Sequence, residues 1–137
     1  MNTTSVTIDR NKAIELLERV VAERGGDFMY SPKRPAADTG KYNTCNYEFD
    51  GVPSCGIGLA LSYLGVSAED LAELDTQGGN ADETGIGNIP VRNILEHRHN
   101  IVFDKQGLDI FKRFQMHQDN KVNYRTALTD ALAFPPS

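Results

Sequence analysis

The sequence predicts a mainly helical α+β domain, on three observations. Apolar residues between Asp9 and Arg24 recur at helical spacing beside a charged face, and the run from Cys55 to Leu64 is apolar almost all round. Between them, residues 28–51 hold aromatics, prolines and glycines with no helical period, which reads as strand, loop and strand. The expected architecture is therefore five or six short helices around a buried central helix at about 55–64, with a small antiparallel β ribbon on one side. At 137 residues and 15.1 kDa the chain has the size of one domain, spanning 1–137.

The elements follow in order. Residues 1–7 are polar and are expected to be frayed or disordered, as chain ends usually are. A helix then runs from about 9 to 24: Ala13, Ile14, Leu17, Val20 and Val21 form its inner face, Asp9 caps its start, and Gly25-Gly26 supplies the left-handed stop. Phe28 to Tyr30 and Tyr42 to Phe49 are the two strands of the ribbon, and Asp50-Gly51 is a turn pair. The intervening 31–41 carries Lys33, Arg34 and Lys41 among prolines and reads as a basic loop. After the central helix stops at Gly65, Ser67 caps a second helix that turns Leu71 and Leu74 inward. Residues 75–88 are glycine-rich and read as a long surface loop. A short helix at 89–96, with Pro90 in its first turn, precedes a third strand at 101–103. Leu108, Ile110, Phe111 and Phe114, then Tyr124, Ala127, Leu128 and Ala131, mark two closing helices in a hairpin.

Composition bounds the function. Fourteen Lys plus Arg against 19 Asp plus Glu give a net charge of −5, which argues against nucleic acid as the main partner. No apolar run approaches the roughly 20 residues needed to cross a bilayer, and the N-terminus lacks a basic region followed by an apolar one. The expected location is the cytosol, where Cys45 and Cys55 are expected as reduced, packed thiols, with an oxidised pair as the alternative.

Cys55 is the main chemical candidate. A thiol at the start of a helix feels unpaired backbone N–H groups and the positive end of the helix dipole, which favour the nucleophilic thiolate. The histidines offer little to a metal: His97 and His99 form an H-x-H pair and the cysteines are widely spaced, unlike the close pairs of zinc sites. The run from Glu96 to Asn100 is expected to cap a helix C-terminus instead. Neither GIGLA nor TGIGN completes a phosphate-binding glycine pattern. No cofactor is expected. Glu69, Asp70, Glu73 and Asp75, with Asp82 and Glu83 beyond them, read as a solvated face or as an acidic patch for a basic partner. Tyr42 and Tyr47, with Arg92 or Arg98, are the set that would stack on and neutralise a nucleotide.

Two resemblances bear on these residues. SCGIGLALSYLG resembles the cysteine-to-helix segment of bacterial papain-like peptidases, which implies Cys55 as nucleophile, His99 as base and Asp104 as its orienting carboxylate. The Cys55 to His99 separation is shorter than that fold uses, and no Gln stands upstream of Cys55. Over most of its length the chain also resembles small uncharacterised proteins of actinobacteria and their phages. That resemblance is carried by AIELLERVVAERGGDFMY, CNYEFDGVPSC, LGVSAEDLAELD and HQDNKVNYRTALTDAL. It carries no assigned activity and implies a bacterial cytosolic protein, phage-encoded in some cases.

The leading expectation is a non-enzymatic interaction protein that binds a host protein or a copy of itself through loops 31–41 and 75–88. Its binding residues would be Lys33, Arg34, Lys41, Tyr42, Tyr47, Asp82, Glu83 and Arg92. The alternatives are a thiol hydrolase using Cys55, His99 and Asp104, and a protein that sequesters a nucleotide signal.

Overall fold

The computed structural model describes residues 6–29, 47–49, 51–78, 89–119 and 122–133. In chain order the elements are β1 (Val6–Ile8), α1 (Arg10–Arg24), β2 (Glu48–Phe49), β3 (Val52–Pro53), α2 (Gly56–Ser62), α3 (Ala68–Gly78), α4 (Ile89–His99), β4 (Ile101–Phe103), α5 (Lys105–Asp119) and α6 (Tyr124–Leu132). The mainly helical α+β class and its helix count agree with expectation.

α1 forms as its ends dictate. Asp9 accepts a hydrogen bond from the Lys12 N–H at 2.8 Å, and Gly25 leaves the helix at φ 96° while its N–H bonds the Val21 carbonyl. Ala13, Leu16, Leu17, Val20 and Val21 are buried, while Ile14 lies at the margin of the core. α2 is the central helix: every residue from Gly56 to Leu61 is buried, each large aliphatic one worth roughly 1.5–3 kcal/mol of transfer free energy. It is shorter than the expected span. Tyr63 to Gly65 form a turn that ends with Gly65 at φ 94°. Phe111 and Phe114 of α5 and Tyr124 of α6 complete the interior, with ring centroids of Phe114 and Tyr124 5.2 Å apart.

The sheets differ from expectation. The main pairing is parallel, between β1 and β4, in the register Val6 to Ile101, Thr7 to Val102 and Ile8 to Phe103. Residues 6 and 7 are therefore strand rather than frayed terminus, since Ile8 is fully buried and anchors β1. Among the described residues, antiparallel pairing is confined to a two-residue hairpin of β2 and β3, turned by Gly51 at φ 78° with its N–H on the Glu48 carboxylate at 2.8 Å. Phe28 and Met29 are not strand. The Phe28 carbonyl accepts the Tyr124 N–H at 2.9 Å and its ring packs 4.9 Å from that of Tyr124, so its backbone serves the start of α6 instead. Residues 42–46 of the expected second strand, and the loop 31–41, lie outside the described residues.

Three further boundaries shift. α3 continues through Gly78, so 75–78 are helical rather than the start of a loop; 79–88 lie outside the described residues. α4 runs on to His99 and stops at Asn100, whose φ of 55° is left-handed. The Asn100 carbonyl then accepts the Val6 N–H at 2.8 Å and so begins the parallel pairing. At the other end of β4, Gly107 lies so close to β1 that a Cβ there would collide with the Ile8 carbonyl.

Candidate functional site

Cys55 is the N-cap of α2, its sulfur accepting the Gly58 N–H at 3.4 Å, at 0% exposure. The sulfur is disulfide-bonded, and no described cysteine is free. This corrects the expectation of a reduced thiol at this position; Cys45 lies outside the described residues. A sulfur that is buried and covalently bonded presents no thiolate.

The surrounding polar groups hold the segment in place. Arg24, the last residue of α1, donates to the carbonyls of Pro53 (3.0 Å) and Ser54 and to the Tyr124 hydroxyl (3.3 Å). Gln118, fully buried on α5, accepts from the Gly56 N–H at 3.0 Å and from the Tyr124 O–H at 3.1 Å. α1, α5 and α6 thus fix the junction between β3 and α2.

The other two members of the peptidase-like set serve the fold. His99 Nε2 lies 2.9 Å from Asp70 Oδ2 on α3, within ion-pair range when the imidazole is protonated but not aligned as a hydrogen bond. Asp104 accepts the Gly107 N–H at 2.8 Å and caps α5, while its own N–H bonds the Ile8 carbonyl at 3.2 Å. The structure gives Cys55, His99 and Asp104 three separate structural tasks.

The nucleotide-stacking set is likewise dispersed. Tyr47 is 1% exposed, its backbone against Gly58 of α2, so its ring is not open to a ligand. Arg98 donates to Glu73 at 2.6 Å and lies 3.9 Å from Asp70, which holds its guanidinium more firmly charged than usual, chiefly through the Glu73 hydrogen bond. Asp70 and Glu73 therefore bind α3 to α4 rather than standing as a free acidic face. Lys33, Arg34, Lys41, Tyr42, Asp82 and Glu83 lie outside the described residues.

Arg92 is the candidate that meets a cavity. A half-open cleft of about 300 Å³ is lined by Arg92, Asn93 and Glu96 of α4 and by all three residues of β4. The ladder defines how β4 faces it. Asn100 and Asp104 bond to β1, through the Val6 N–H and the Ile8 carbonyl. Strand period therefore turns the Val102 N–H and C=O toward β1 as well, and those of Ile101 and Phe103 toward the opposite edge. Among the described residues, β1 is the only strand paired with β4. Ile101 is 1% exposed, so the outward backbone groups that can meet the cleft are those of the half-buried Phe103, flanked by a cation and a carboxylate. Sequence reasoning placed a strand at 101–103 and singled out Arg92; it lacked the pairing with β1, from which the direction of the other edge follows.

Compared with protein-family models, curated proteins and solved structures, the chain finds no match in any of the three. No helix among the described residues is long and apolar enough to cross a membrane. Nor do the described residues bring together three or more His, Cys, Asp or Glu side chains as a metal site.

Proposed function

We propose that this protein is a non-enzymatic interaction module that docks an extended segment of another protein chain at the cleft between α4 and β4. One observation supports the reading: the half-buried Phe103 turns its N–H and C=O away from β1 beside a cleft. Exposed strand edges recruit extended peptides by main-chain hydrogen bonding, and flanking side chains supply selectivity. Here Arg92, Asn93 and Glu96 occupy the flank. On the likeness to actinobacterial and phage proteins, the setting is a bacterial cell.

The test is selection of binders from a library of unstructured peptides, followed by amide NMR of the bound protein. Selected peptides are expected to shift the Ile101 and Phe103 amides most strongly. Peptides that leave both amides unmoved, or a library that yields none, would count against this function.

A further inference from the structure

Resting on that reading, we infer that the segment docked in the cleft carries opposite charges two residues apart, an acidic side chain for Arg92 and a basic one for Glu96, around an apolar residue. The starting observation is how α4 divides its surface. Val91 and Leu95 are buried, while Arg98 and His99 meet Glu73 and Asp70 of α3. Arg92, Asn93 and Glu96 line the cleft. Glu96 is exposed, and its carboxylate has no hydrogen-bond or ion-pair partner among the described residues. Arg92 has another interaction of its own, and its five N–H donors leave capacity for a carboxylate.

Arg92 and Glu96 do not neutralise one another. No ion pair joins them, and a base four residues before an acid is the weaker order for such a pair on a helix. The cleft therefore presents one charge of each sign to whatever enters it.

Spacing selects the occupant. Four residues of helix carry the two positions about 6 Å apart along the axis of α4. In an extended chain, side chains two residues apart share a face and lie roughly 6.6 Å apart. A segment laid along α4 thus meets Arg92 and Glu96 with residues i and i+2, and the residue between them turns to the other wall. There the half-buried Val102 and Phe103 line the cleft, which favours an apolar side chain. A segment of single sign satisfies one of the two charges and meets the other as a like charge. Recognition by these side chains asks for no backbone bond from Ile101.

Four capped peptides test the inference: acetyl-Ser-Glu-Val-Lys-Ser-amide, its counterpart with the core reversed to Lys-Val-Glu, and the single-sign cores Glu-Val-Glu and Lys-Val-Lys. Each is titrated against the full chain while the Phe103 amide is followed by NMR. One of the two opposite-charge peptides should bind roughly fivefold or more tightly than either single-sign peptide. Which of the two it is gives the direction of the segment along α4. The advantage should shrink as salt is added. Glu96→Arg should reverse the ranking, so that Glu-Val-Glu becomes the preferred core. A gain for one peptide cannot come from a misfolded variant.

Equal affinity for all four peptides, or a Glu96→Arg chain that keeps the wild-type ranking, would overturn the inference and leave the docking function standing. So would silence from these four while library peptides of other composition move the Phe103 amide. No response to either set would remove both the inference and the function it rests on.

Discussion

Tyr63 donates its phenolic hydrogen to Glu23 at 2.8 Å, tying the turn after α2 to the outer face of α1. Arg19, one helical turn before Glu23, lays its guanidinium over the same ring, 3.8 Å from the centroid. Burial, then the hydrogen bond to Glu23 and the charge of that carboxylate, push the Tyr63 phenol up from 10.0 to about 12. The neutral phenol is the form the fold favours, so its contribution to stability is whole below pH 10 and is lost as pH climbs through about 12. Phenolate absorbance should therefore show one of the five tyrosines ionising near pH 12. Glu23→Gln should bring that transition back toward 10. An unchanged titration in the variant would refute the pairing.

The Cys55 disulfide can be weighed apart from the helix cap beside it. In Cys55→Ser the hydroxyl still accepts the Gly58 N–H, and serine is the better cap, so what is removed is the covalent bond. The variant and the reductant-treated wild type should both lose about 2–4 kcal/mol in urea unfolding. Thiol titration of the unfolded, unreduced chain should find no free sulfhydryl. Equal stability before and after reduction would contradict the role.

Gln118 should be intolerant of apolar replacement although it is fully buried. Gln118→Leu leaves the Gly56 N–H without its acceptor and removes the acceptor at 3.1 Å from the Tyr124 hydroxyl, both in the interior. The expected loss is about 3 kcal/mol, read from the denaturant midpoint. A loss below about 1 kcal/mol would mean that both groups find other partners.

The helices were legible in the sequence wherever stop and start chemistry is local. Asp9 and Gly25 bound α1, Ser67 bonds the Asp70 N–H at 3.2 Å at the head of α3, and α2 is buried from Gly56 to Leu61. Leu16 is buried on the same face, and its spacing of three from Ala13 and four from Val20 is the helical period's own. β1 was missed because Val6 to Ile8 is too short for alternation to register, and what stabilises it lies at Ile101 to Phe103. Phe28 looked like strand because it is aromatic and follows a helix, yet its carbonyl is spoken for by Tyr124.

The candidate site divides in the same way. Arg92 could be picked out as a cation on a short helix, but which side of β4 faces the cleft follows only from Val6 and Ile8 taking the other side. Cys55 drew attention through its helix-start position, a pattern that structural and reactive cysteines share; burial and the bonded sulfur separate the two cases.

Pairing the opening strand with one that follows α4 also orders events during synthesis. Val6 leaves the ribosome early and must wait for Ile101 before it has anything to lie against. α1 can wind at once, since its bonds are local, while the sheet and the Ile8 carbonyl that meets Gly107 lock in only when almost the whole polypeptide has emerged. The β1–β4 pairing thus forms later than α1, and the contacts of α6 with α1 and Phe28 must come later still.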